Sequence, residues 1–128
     1  MKIKIYQINL DRDKMLVAFE GAEALEALFG SFNIDSSIYD MVYSDEVECD
    51  DLEAVFQKFN CDYPENYTGR SMSVSDVIEV VDAGKPADSI EPVEPGCYYC
   101  DSVGFRKITF DAEQAQNAFE SIEMEELQ

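Results

Sequence analysis

Histidine and tryptophan are both absent from the 128 residues. Without an imidazole the chain lacks the side chain most used for proton transfer near neutrality and a common nitrogen ligand of zinc. A serine or cysteine nucleophile would therefore need another base. Positive charge is scarce as well, with 9 Lys and Arg against 28 Asp and Glu, a formal net charge of −19. A field of that sign repels phosphate backbones and anionic lipid, which argues against direct contact with nucleic acid or membrane. No run approaches the roughly 18 apolar residues that cross a bilayer. The opening Met1-Lys2-Ile3-Lys4-Ile5-Tyr6 lacks the apolar stretch of a signal peptide, so the expected location is the cytoplasm. The 6 glycines are scattered singly and none precedes a Lys-Ser or Lys-Thr pair, which leaves no phosphate-cradling loop.

What is present is enough for a core. Hydrophobic residues make up 46% of the chain and aromatics 12%, so its acidity does not imply disorder. A length of 128 suits one domain. Lys2, Lys4, Arg12 and Lys14 all fall at the start, leaving the rest of the chain more acidic still. The 4 cysteines, in a chain read as cytoplasmic, are expected to be reduced thiols.

Periodicity predicts an α+β domain with a small, mostly antiparallel sheet and three helices. In Lys2 to Leu10, Ile3 and Ile5 share one parity while Tyr6, Ile8 and Leu10 share the other, the pattern of a strand covered on both faces. Met15, Val17 and Phe19 alternate and predict a second strand in a hairpin with the first. Gly21 opens a helix with Ala24, Leu25, Leu28 and Phe29 on its apolar side, closed by Gly30. Tyr39 to Tyr43 reads as a strand ending at the acidic run that begins with Asp45. Asp50 as cap, Glu53 three residues on, and the stripe Leu52, Val55, Phe56 and Phe59 predict the next helix. Strands follow at Val77–Val81, Cys97–Asp101 and Phe105–Phe110, with a proline-rich loop over 86–96 and a turn at Gly104. Asp111 and Gln114 stand in capping-box spacing before Ala112, Ala115, Phe119 and Ile122. The expectation is a domain over 1–110 with a C-terminal acidic helix, 111–128, packed on it.

Three features carry possible chemistry. Cys97-Tyr98-Tyr99-Cys100 has the spacing of a zinc knuckle or redox pair. Its companions Cys49 and Cys61 lie far apart with a helix between them, and on a strand Cys97 and Cys100 point to opposite faces, so packing thiols are the simpler reading. Asp45, Glu46, Glu48, Asp50, Asp51 and Glu53 form an acidic run, but no glycine stands where a calcium loop must turn, and a solvated face is the simpler reading. Ser71, Ser73 and Ser75 precede Asp76 outside any strand–elbow–helix context, which places these serines on a solvent face rather than in a nucleophilic site. No cofactor and no catalytic residue is expected.

The run Leu52 to Asn60, followed by Pro64-Glu65-Asn66-Tyr67-Thr68-Gly69-Arg70-Ser71-Met72-Ser73-Val74-Ser75-Asp76-Val77-Ile78, resembles the YodL-like domain family, as does Tyr98-Tyr99 with Asp101-Ser102-Val103-Gly104-Phe105. The resemblance implies the setting of phages, integrated conjugative elements and large polyvalent proteins, and implies no mechanism. The segment joining Val81 to Tyr98 is longer than the family's turn, which makes the proline-rich loop an insertion. The function expected is a non-catalytic interaction protein of a mobile element that binds a basic host or element protein. Candidate interaction residues are Arg70, Ser71, Ser73, Ser75, Asp76, Asp101 and Phe105, with Glu120, Glu123 and Glu126 as a negative row along the terminal helix. One alternative is a nucleic-acid mimic that blocks a defence enzyme such as a restriction or CRISPR-type nuclease. Another is a zinc- or metal-dependent domain using Cys97 and Cys100.

Overall fold

The computed structural model describes residues 1–85 and 91–117. Its elements run β1 (Lys2–Ile8), α1 (Ala22–Phe29), a 3-10 turn at Ser36–Ile38, β2 (Tyr39–Glu46), α2 (Leu52–Cys61), β3 (Val77–Asp82), β4 (Gly96–Cys100), β5 (Phe105–Ile108) and β6 (Gln116–Asn117). The strands form one sheet in the order β5-β4-β3-β1-β2-β6. Five are antiparallel to their neighbours, and β6 joins the edge of β2 in parallel. Among the described residues no helix is long and apolar enough to cross a membrane.

β1 is central because both of its parities are apolar, and each feeds a different core. Ile3 and Ile5 face Val55 and Phe59 of α2, together with Met72, Ile78 and Val80. Tyr6 and Ile8 face Tyr39 and Val77 on the opposite side. A bulge where Ile5 pairs with Tyr43 but Tyr6 with Met41 leaves Val42 unpaired. Val42 and Tyr43, consecutive in the chain, therefore both enter the first core. β2 continues into the acidic run, since Lys2 stands opposite Glu46 and sets unlike charges across the strands.

Helix α1 closes as expected: Gly30 takes φ 80° and its N–H donates to Glu26 O at 2.8 Å. Helix α2 starts one residue later than the sequence suggests. The Asp51 side chain, not that of Asp50, accepts from Ala54 N at 2.8 Å, which removes Glu53 from capping-box position.

Two sequence expectations are overturned. Met15, Val17 and Phe19 do not form a strand, and β1 pairs with β2 and β3 instead of hairpinning with them. The buried Asp13 carboxylate accepts from Val17 N and Ala18 N, both at 2.9 Å, while Leu16 and Phe19 adopt positive φ, so the segment is held as a loop. The start of the third helix, expected over 111–128, is also corrected, and the described residues hold two α-helices. Asp111 to Gln114 makes a turn in which Asp111 accepts from Glu113 N at 3.1 Å, after which Gln116–Asn117 finds backbone partners on β2. Phe119, Ile122, Glu120, Glu123 and Glu126 lie outside the described residues, as does part of the proline-rich loop.

Candidate functional site

Gln7 is the polar exception in β1 and is sealed at 2% exposure. It points, with Ile3 and Ile5, toward the side where the segment 67–76 crosses the sheet. Its Oε1 accepts from Arg70 N at 3.0 Å, and its Nε2 lies 2.9 Å from each of Tyr67 OH, Arg70 O and Asp76 Oδ2. One amide has two N–H groups, so three acceptors share them. The Tyr67 hydroxyl donates to Arg70 O, closing the segment on itself. Gly69 lets the backbone approach: a Cβ there would collide with Gln7 Oε1 and lie 2.7 Å from the Tyr67 hydroxyl oxygen.

Asp76 is fully buried. Its Oδ2 accepts from Gln7 Nε2 and from Ser73 N, both at 2.9 Å, while Oδ1 has no partner among the described residues. Burial pushes its carboxyl up to about 7, against the pull of the Ser73 N–H, the Gln7 amide and the Arg70 charge. The Arg70 guanidinium donates through Nη2 to Ile8 O at 3.0 Å and lies 5.4 Å from the Phe19 ring centroid. Arg70 Nε and Ser73 Oγ, like Asp76 Oδ1, are buried without a partner among the described residues.

Ser75 turns the chain into β3 with φ 85°. Its hydroxyl oxygen accepts from Phe19 N at 3.0 Å, its carbonyl from Tyr39 OH at 2.7 Å, and its N–H donates to Cys100 O at 2.9 Å. Tertiary bonds from three segments hold one left-handed residue in place. The expected solvent-facing serines are thus split: Ser71 is exposed, Ser73 half-buried and Ser75 fully buried. Alternation fails here because residues 71–76 form a tight turn and no strand.

The structure brings Arg70, Ser73 and Asp76 together around Gln7, sets Ser75 among Phe19, Tyr39 and Cys100, and leaves Asp101 and Phe105 elsewhere. Asp101 Oδ1 accepts from Ala22 N at 3.1 Å, so it caps α1 where Gly21 has no side chain to do so. Phe105 meets Phe56 edge-on at 6.4 Å. Sequence reasoning passed over Gln7, Tyr67 and Asp13. The one available signal was an amide placed in an otherwise apolar central strand.

Asp76 is sealed from solvent, and the node ties the segment 67–76 to β1 through Gln7. Cys97 is half-buried and Cys100 buried. Burial pushes Cys97 up to about 11, with Glu79 adding to it, and Cys100 up to about 12, with Asp76, Glu53 and Asp101 adding to it. Protonated thiols are poor nucleophiles at neutral pH. Among the described residues no three Cys, Asp or Glu side chains are grouped to hold a metal.

The acidic run between β2 and α2 has a definite geometry. Val47 and Cys49 are buried, and Val47 exchanges backbone bonds with Met1, its N–H donating to Met1 O at 2.8 Å and its carbonyl accepting from the terminal amine at 3.0 Å. Pinning those two residues turns Glu46 and Glu48 outward, and Asp45, Asp51 and Glu53 are exposed as well.

A family model described as YodL-like domain matches residues 2–110. No curated protein and no solved structure matches the chain.

Proposed function

The chain belongs to the YodL-like domain family, and we propose that it works by non-catalytic contact, offering a carboxylate surface to a protein partner whose own surface is basic. One observation carries this reading. In the acidic run from Asp45 to Glu53, Asp45, Glu46, Glu48, Asp51 and Glu53 are exposed, and none of the run's carboxylates forms an ion pair among the described residues, where the three pairs are at Asp40, Glu26 and Glu94. Charge left unneutralised on a fixed scaffold speeds encounter with a surface of opposite sign and rejects partners of like sign. The sealed Asp76 and the burial that raises the Cys97 and Cys100 thiols support contact over bond-making. The partner is a host or mobile-element protein, in keeping with the setting that the family resemblance implies.

The test is retention of a basic protein from host lysate on the immobilised chain, beside a variant carrying Asp45→Asn, Glu46→Gln and Glu48→Gln together. The partner should elute as salt rises toward 1 M, where the screening length falls to about 3 Å. The triple variant should hold it more weakly. Equal retention by the variant, or turnover of any substrate by the chain, would end the proposal.

A further inference from the structure

Two non-glycine residues with left-handed backbone meet where the loop 9–21 closes on the turn before β3. Phe19, at φ 69°, donates its N–H to the hydroxyl oxygen of Ser75, itself at φ 85°, over 3.0 Å. Such backbone is costly for a bulky side chain and persists only where its neighbours hold it. The holders are few. Tyr99 OH donates to Glu20 O at 2.7 Å, and the Arg70 guanidinium lies 5.4 Å from the Phe19 ring centroid while its Nη2 donates to Ile8 O. Asp13 holds Val17 N and Ala18 N, and both of those side chains pack on the core of Tyr6, Ile8, Tyr39 and Val77. Val17 also lines, with Met15, Leu25, Phe29 and Ile38, an open apolar cleft of about 310 Å³ between the loop and α1. The seat of residues 17–20 therefore decides how well that core is covered.

The three buried atoms left without a partner in the segment 70–76 are complementary in kind. Arg70 Nε and Ser73 Oγ can each donate, and Asp76 Oδ1 can accept. A carboxylate shut away from water must gather donors, because a buried charge without them is costly, whereas a neutral acid makes no such demand. We propose that Asp76 sets a latch on residues 17–20: as a neutral acid it leaves Arg70 against Phe19 and the loop seated, and as a carboxylate it draws Arg70 Nε and Ser73 Oγ onto Oδ1 and takes the guanidinium off the ring. The proton goes to solvent, and the left-handed Phe19 loses one of its few holders. Burial places this ionisation at about 7, against the pull of the Ser73 N–H, the Gln7 amide and Arg70, so the loop is seated below that pH and released above it. The other groups facing Asp76 do not compete for the change. Arg70 supplies the positive charge on its own segment. Burial raises Tyr67 beside it, Tyr39 of β2, and Tyr99 and Cys100 of β4, with Asp76 adding to each, so these four stay protonated near neutrality. Beyond them stand the carboxyl groups of Asp13, Glu20, Glu53 and Asp101, each acting on one or more of the four. The latch is independent of the basic-partner reading, since neither Asp76 nor Phe19 belongs to the acidic run.

The test follows the full chain by NMR between about pH 5.5 and about pH 8.5, reading the Asp76 side-chain carboxyl carbon, the Arg70 Nε–H and the amides of Phe19 and Glu20. In the wild type all of these signals should move together with one midpoint near 7. The Phe19 amide should exchange at least about tenfold faster at the upper end, after correction for base catalysis of exchange. Asp76→Asn, which cannot ionise, should leave the Arg70, Phe19 and Glu20 signals flat. Arg70→Gln should hold the Phe19 and Glu20 signals near their high-pH positions while the carboxyl still titrates. If either variant fails to fold, the wild-type titration decides alone. An Asp76 carboxyl that titrates while Phe19 and Glu20 stay still would overturn the latch, and so would a carboxyl that does not titrate in this range. Shifts spread evenly over β1 and β3 would mean general loosening and overturn it as well. Each of these failures leaves the carboxylate-surface reading intact.

Discussion

On one face of the sheet a regular helix, α2, lays Val55 and Phe59 against Ile3, Ile5, Ile78 and Val80, and the contact is closed. On the other face Tyr6, Ile8, Tyr39 and Val77 are covered by irregular chain, through Val17, Ala18, Ile34, Ile38 and Phe110. A helix buries its own backbone polar groups, so it seals a face with side chains alone. Loop backbone has no internal ladder and must be satisfied one group at a time. The Asp13 carboxylate, the Arg12 guanidinium and the Ser75 hydroxyl do this on the second face. The contrast shows why the apolar cleft lies on the loop-covered side, since a cover held by a few polar anchors leaves gaps that a packed helix fills.

The sharpest test of that contrast is Phe59→Ala, expected to cost about 3–5 kcal/mol in denaturant unfolding because a fully buried ring is lost from a closed core. Val17→Ala on the half-buried loop should cost about 1 kcal/mol or less. Equal costs would erase the difference between the faces.

The Asp76 node comes next. Its carboxyl stands at about 7 in the folded chain against an ordinary 3.8, so the folded state holds the proton more tightly. Its contribution is therefore fully present below pH 3.8 and is lost as pH rises through about 7. Asp76→Asn keeps an acceptor and places N–H donors where the protonated acid has its O–H. The stability difference between wild type and this variant should shift against wild type between those two values and stay flat outside them. A difference curve without slope would show that Asp76 ionises freely.

Asp13→Ala should cost about 1–2 kcal/mol, with faster hydrogen exchange at Val17 and Ala18, because two loop amides lose their acceptor. If those amides stay protected, the loop is held by packing and the proposed contrast weakens. Smallest of all, Met15→Glu should change stability by no more than about 0.5 kcal/mol, since the side chain is mostly exposed. A larger loss would mean that Met15 is part of the core cover.

Legibility followed the same division. The two-sided strand Lys2–Ile8, the stripe on α2, the Gly30 stop and the turn at Gly104 were readable because each expresses a short-range period or a local backbone need. Residues 15–19 misled because alternation of Met15, Val17 and Phe19 is also produced by a loop that tucks Val17 inward and leaves the other two exposed. The serines before Asp76 misled for a related reason, as a turn held by Tyr39, Phe19 and Cys100 obeys no strand parity. Of the candidate contact residues, the sequence marked the neighbourhood of Arg70 to Asp76 but not that Gln7 closes it.

Composition and periodicity, taken alone, determined the α+β class, the central place of the first strand, and a surface dominated by carboxylates, because these depend on residue type and neighbour spacing. Tertiary structure alone decided that Asp13 and Asp76 turn inward, that Val47 and Cys49 force their acidic neighbours out, and that the loop 9–21 leaves a cleft beside α1. Each of those outcomes depends on which distant backbone group arrives to meet a side chain, and no local pattern encodes the meeting.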